Sequence, residues 1–155
     1  MNNLHKPGVV LGLGVAVLVF SGFSPRRFVA APATKTSVEA ISRHITVLKR
    51  GKAQERAAAA YWLGQQKAAA SAAVDPLVEL LGDSSEVNPA QYRSRSALQK
   101  LTLGEEAAAA LVNIGRSSIE PLIRVLKTSP VAEARKNAAW ALGALHDTGA
   151  TSTQI

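Results

Sequence analysis

The chain has 155 residues, 47% hydrophobic, 5% aromatic and 19% charged, with a formal net charge of +7. It has no cysteine, which excludes disulfides and an acylatable Cys, so its stability must come from helix stacking alone. From Thr34 onward 15 Lys and Arg stand against 11 Asp and Glu, so that part is only modestly basic; Lys6, Arg26 and Arg27 supply the rest of the positive charge.

The chain opens on an apolar run, Val9 to Phe20, that carries no charge and follows His5 and Lys6. It falls short of the roughly 18 to 20 residues that span a bilayer and fits the apolar region of an export signal. Ala31-Pro32-Ala33 supplies the small residues of a cleavage site that would leave Thr34 as the new terminus. Arg26 and Arg27, between run and cut, are unusual for a cleaved signal. They keep open an uncleaved membrane anchor through residues 9–23, with a cytosolic chain as the third alternative. Residues 1–33 are thus read as signal peptide or anchor, and 34–37 as linker.

Next come apolar residues at helical spacing, Val38, Ile41, Ile45, Val47 and Leu48, with Arg43 and Lys49 on the polar side. An Ala-rich run follows, Arg56-Ala-Ala-Ala-Ala-Tyr-Trp-Leu-Gly64. It is answered by Ala107-Ala-Ala-Ala-Leu-Val-Asn-Ile-Gly115 and by Arg135-Lys-Asn-Ala-Ala-Trp-Ala-Leu-Gly143. Before the second and third copies stand Val74-Asp-Pro-Leu-Val-Glu-Leu-Leu81 and Ile119-Glu-Pro-Leu-Ile-Arg-Val-Leu126. Each predicts a helix with proline at its first position, where the missing N–H matters least, and an acidic cap before it. The repeating unit is therefore helix A, a short connection, Ala-rich helix B and a closing glycine that takes the left-handed conformation. No such pair buries its apolar face alone; about three stacked pairs are the usual minimum. Three pairs cover residues 38–147, leaving 148–155 as a tail.

The second unit departs from the others. It carries an insertion, residues 83–104, and has Ala107 where the other copies have Arg56 and Arg135. Within the insertion Asn88-Pro89 predicts a break, and residues 90–101 a short helix with Ala97, Leu98 and Leu101 inward and Arg93, Arg95 and Lys100 outward. It is read as a loop helix patching the array; a projecting, partner-choosing element is the alternative.

Catalytic and cofactor patterns are poor. The histidines are His5, His44 and His146, and His146-Asp147 sits at a helix end, where a histidine caps carbonyls. Ser and Thr lie outside any glycine elbow, and no Gly-rich loop cradles a phosphate. No catalytic residue, metal ligand or cofactor is assigned. Arg56 and Arg135 are expected to pair with acidic residues such as Glu55, Asp83 or Glu133 rather than to grip an acidic partner.

With the same spacing in both copies, Arg56…Ala59-Ala60-Tyr61-Trp62-Leu63-Gly64 and Arg135…Ala138-Ala139-Trp140-Ala141-Leu142-Gly143 resemble the short HEAT-like repeats of the phycobilisome-lyase type. Asp75-Pro76-Leu77 and Glu120-Pro121-Leu122 fit the same pattern. The resemblance covers about two thirds of the chain and implies an all-α, HEAT-like α-solenoid of about three helix pairs. It is less informative about function, because the repeat occurs in pigment-attaching lyases, metal hydroxylases and scaffolds. The His-Glu pairs of the hydroxylases are missing here: Ile45 follows His44 and Asp147 follows His146.

In such repeats the position three residues before the closing glycine faces the concave side. Here it holds Tyr61, Val112 and Trp140, which with Lys136 and Asn137 are expected to form a partner-binding ridge. The alternative packs them between adjacent B helices; Trp62 is expected in the core. The resulting expectation is a non-enzymatic protein-binding module, exported or membrane-anchored, its partner another protein. The alternative is an accessory factor resembling bilin lyases, holding a chromophore or its acceptor protein. Nucleic acid is set aside because no Lys/Arg cluster recurs on one helix face. Finally, Val131, Ala134, Ala138, Ala141, Leu142 and Leu145 predict an apolar C-terminal end, with Val131, Leu142 and Leu145 its docking residues. Self-association or docking on a larger partner is expected there.

Overall fold

A computed structural model describes residues 35–93 and 100–149. The leader, the cleavage site, the tail beyond Gly149 and the insertion residues Arg95, Ala97 and Leu98 lie outside the described residues.

Six α-helices account for most of it: α1 (Lys35–Arg50), α2 (Ala53–Gln65), α3 (Val74–Val78), α4 (Leu103–Ile114), α5 (Ile119–Thr128) and α6 (Ala132–Asp147). Helix α1 begins at Lys35, inside the stretch expected as linker. They pack as two layers. Helices α2, α4 and α6 lie side by side, and α1, α3 and α5 form the second layer, each packed on a helix of the first. Leu48, Leu63, Leu77, Leu81, Leu103, Leu111, Leu122 and Leu145 are the large side chains fully buried between the layers. Alanines line the first layer because close helix approach leaves no room for more: Ala57, Ala60, Ala107, Ala108, Ala138 and Ala141 are all fully buried.

Local chemistry sets the helix ends, with several departures from the sequence expectation. Thr102 and Glu105 form a reciprocal cap at the start of α4: the Glu105 N–H donates to Thr102 Oγ1 at 3.2 Å, and the Thr102 N–H donates to Glu105 Oε2 at 2.8 Å. Helix α3 is one turn, preceded by the tight 3-10 segment Lys67–Ala73 and followed by turns, not a helix through Leu81. Pro76 and Pro121 stand third in their helices rather than first, and Asp75 and Glu120 lie inside the first turn. That placement is still cheap, because the first four helical N–H groups lack intrahelical partners.

The closing glycines do three different things. Gly115 alone of them takes positive φ, at 90°. Gly64 is helical and lies where α2 meets α4: a Cβ there would sit 3.0 Å from Ala110 Cα. Gly143 is helical too, inside α6, with nothing within 4 Å of its Cβ position.

The insertion is a closed loop. The Gly104 and Leu103 N–H groups donate to the Asp83 and Ser85 carbonyls, each at 2.9 Å. Two short strands, β1 (Glu86–Val87) and β2 (Leu101–Thr102), pair antiparallel, with Glu86 opposite Thr102 and Val87 opposite Leu101. Asn88-Pro89 does break the chain, starting a 3-10 turn at Pro89–Gln91 with the Ala90 N–H bonded to Asn88 Oδ1 at 3.0 Å. The helix expected over 90–101 is not formed at its described ends, because Leu101 is in a strand and Tyr92 and Arg93 turn inward toward α4.

Candidate partner-binding groove

A groove of about 470 Å³ runs between α4 and α6, with the inserted loop as its third wall. Glu105 and Ala109 come from α4, Lys136, Asn137 and Trp140 from α6, and Arg93 and Leu101 from the loop. Trp140 is the most exposed large apolar side chain among the described residues, at 57%. Lys136 is exposed and forms an ion pair with Glu133 one turn back, which raises its ammonium pKa. A second hollow, about 420 Å³, is lined by His44, Val47, Glu55, Ala58, Ala59, Tyr61, Trp62 and Tyr92.

Between the two hollows lies the anchor of the loop. Glu106 is 1% exposed, and its carboxylate accepts from Arg93 Nη2 at 2.6 and 2.7 Å and from the Tyr92 hydroxyl at 2.8 Å. Arg93 also lies over the Tyr61 ring, 5.1 Å from its centre, and Tyr61 and Tyr92 are 5.8 Å apart. Burial, then the Glu106 carboxylate, pushes the Tyr92 phenol well above its ordinary range, so it stays a donor. Gln54 holds the loop on α2: its side-chain amide donates to the Asn88 carbonyl at 2.8 Å and accepts from the Asn88 N–H at 2.9 Å.

The positions expected to form one ridge are therefore separated. Tyr61 is partly covered by Tyr92 and Arg93, Val112 is half-buried against the core, and only Trp140 projects. Asn137 does not belong to an exposed ridge. It is 3% exposed, and its amide donates to the Leu81 carbonyl at 2.8 Å, tying α6 to the chain after α3. Leu145 likewise is no docking residue: Ala134, Ala138, Ala141 and Leu145 form one stripe at helical spacing, all buried against the array. Leu142 is half-buried, and Val131 is exposed.

Arg56 donates to the Leu48 carbonyl at 2.9 Å and bridges to Asp83 at 3.2 Å. Burial opposes ionisation of Asp83, but hydrogen bonds from Ser85 and the Arg56 charge outweigh it and hold its carboxyl below the usual range. Arg135 finds no carboxylate; it donates to the Ser129 carbonyl at 2.8 Å. Trp62 is half-buried and stacks on His44, ring centres 4.1 Å apart. His146 and Asp147 are exposed, with a 3.6 Å separation. Among the described residues no group of three or more His, Cys, Asp or Glu side chains could hold a metal ion, and no helix is long and apolar enough to cross a membrane.

Residues 55–83 match the family described as the PBS lyase HEAT-like repeat. That stretch of the chain is a HEAT-like repeat. The matched unit runs from the first turn of α2 through α3 to Asp83, so it contains both partners of the Arg56–Asp83 bridge. No curated protein and no solved structure matches the chain. Sequence reasoning missed the Tyr92–Arg93–Glu106 anchor. Its only signal was the doublet Glu105-Glu106 at the start of α4, beside an insertion rich in arginine.

Proposed function

We propose that this HEAT-like array is a non-enzymatic protein–protein interaction module, a short α-solenoid of three helix pairs that receives its partner in the groove beside Trp140. The observation that supports this most is the tryptophan itself. A large aromatic side chain left 57% exposed on a groove wall is unfavourable in water, and tryptophan is enriched at the energetic centres of protein interfaces. Leu101 and Ala109 give the groove an apolar floor, and Lys136 and Glu105 give it a polar rim. The module works outside the cytoplasm or tethered to a membrane, a reading supported by the uncharged run Val9 to Phe20 and by Ala31-Pro32-Ala33.

Affinity capture from the native host with the full chain tests the groove. Trp140→Lys should lose a partner that wild type retains stoichiometrically, with unchanged helix content. Equal retention by both would refute the site. A second reading, an accessory factor of the bilin-lyase kind, is favoured by the matched repeat type. It predicts that the protein from its host carries the visible absorption of a tetrapyrrole, which the first reading does not.

A further inference from the structure

The three helices of the first layer carry the same positions into different surroundings. Seven and four residues before the closing glycine, α2 has Ala57 and Ala60, and α4 has Ala108 and Leu111; all four are fully buried. The equivalent residues of α6, Lys136 and Ala139, are exposed, and so is Gly143. In α2 this face meets the next helix at Gly64, where a Cβ would sit 3.0 Å from Ala110 Cα, tighter than ordinary contact. Gly143 keeps the same small residue with nothing within 4 Å of its Cβ position. The repeat itself thus shows what covers this face elsewhere in the chain: another α-helix.

The opposite end of the array carries larger side chains. Asn113, two residues before Gly115, reaches back toward Gly64, with its side-chain nitrogen 3.4 Å from the Cβ position there. That position therefore faces the preceding pair. In the first pair it holds Trp62, half-buried in its stack with His44. The front thus presents the half-buried Trp62 ring beside a hollow, a poor match for the small residues Ala139 and Gly143, so head-to-tail stacking of copies is disfavoured.

We infer that the exposed face of α6 is a two-fold dimer interface that receives the α6 of a second copy, antiparallel. Charge complementarity supports this occupant, with Lys136 also reaching Glu133 one turn back on its own helix. Lys136 lies toward the start of the face and Asp147 at its end. Antiparallel pairing about the midpoint between Ala139 and Gly143 sets Ala139 against Gly143 of the second copy and brings Lys136 within a turn of Asp147 of the second copy, twice over. Small residues at the crossing allow the close approach already seen between α2 and α4. This interface goes beyond the groove proposed above and shares Lys136 with its rim.

Sedimentation velocity on the full chain, up to about 100 µM, tests the dimer. Gly143→Glu places a charge where nothing stands within 4 Å, so the monomer folds as before and dimerisation weakens roughly tenfold or more. Association through residues 9–20 would survive Gly143→Glu, so unchanged association in that variant overturns the inference, as does a wild type that stays monomeric. Lys136→Glu should weaken the dimer, and adding Asp147→Lys should restore it; no restoration overturns the antiparallel arrangement. Because wild type has no cysteine, a chain carrying Ala139→Cys and Gly143→Cys should cross-link to dimers under mild oxidant. Absence of that product overturns the register. Retained capture of the partner by Gly143→Glu leaves the Trp140 reading standing while the dimer is tested by itself.

Discussion

Removing the Arg93 side chain should loosen the inserted loop and destabilise the whole array. Glu106 is 1% exposed, and its described partners are Arg93 and the Tyr92 hydroxyl, so Arg93→Met leaves a buried carboxylate with one donor. Breaking a buried ion pair from one side costs about 3–5 kcal/mol. Two features lower that here. The Arg93 side chain is 27% exposed, so solvent screens part of its attraction, and its buried Nε has no hydrogen-bond partner. The expected loss is about 2–3 kcal/mol, or roughly 10 °C in Tm for an array of this size. Glu106→Gln removes the charge but keeps an acceptor, and should cost about 1–2 kcal/mol. The double variant should fall short of the sum by more than about 1 kcal/mol, since the two side chains touch. Urea unfolding followed by circular dichroism gives the cycle, and hydrogen exchange at residues 86–93 should rise most. If Arg93→Met stays within about 0.5 kcal/mol of wild type, the loop is not held by this anchor and the reasoning fails.

Other expectations concern glycine, histidine and the leader. Gly104→Ala would place a Cβ 2.6 Å from the Leu81 carbonyl oxygen and 2.8 Å from Asn137 Nδ2, so a loss of about 1–3 kcal/mol is expected on thermal unfolding, whereas Gly143→Ala meets nothing and should gain up to about 1 kcal/mol. Burial, then the neighbouring Arg43 charge, lowers the His44 pKa below its ordinary 6.5. Its contribution to stability is therefore full above that value and is lost as pH falls through the folded-state pKa. His44→Phe keeps the stack on Trp62 and should flatten the stability profile below about pH 7; an unchanged slope would reject His44 as its cause. Mass spectrometry of protein from host cells should find a terminus near Thr34; an intact Met1-to-Lys35 segment in the membrane fraction would overturn cleavage.

The helix pairs were legible because alanine, leucine and glycine recur at fixed spacing, and that spacing is itself the packing. Burial of individual faces was less legible. Counting apolar residues on α6 pointed to Leu142 and Leu145 as its open side, yet Leu145 is buried and Leu142 half-buried, and the open side is made of Lys136, Ala139, Trp140 and Gly143. An apolar stripe says that a face is covered, not which neighbour covers it. Asn137 misled for a related reason: next to Lys136 it looked like rim, but a buried carbonyl, that of Leu81, was waiting for its amide. The loop was opaque, because its conformation is set from both sides, by Gln54, 34 residues before Asn88, and by Glu106, just beyond the insertion.

The substitution of Ala107 for arginine has a structural explanation. In the first pair Arg56 fastens α2 to Asp83 and to the end of α1. Aligning the A segments on their prolines, the position equivalent to Asp83 is Thr128, so the second unit lacks both the cation and its carboxylate. Losing both partners together strands no buried charge, which losing either alone would do. Ala107 is fully buried, with no room for a guanidinium. The start of α4 is instead fastened with the polarity reversed: the helix supplies the carboxylate, Glu106, and the inserted loop supplies the cation, Arg93. The insertion thus takes over, one residue earlier on the helix, the task that an arginine performs in the first pair, and it walls the Trp140 groove with the same side chain.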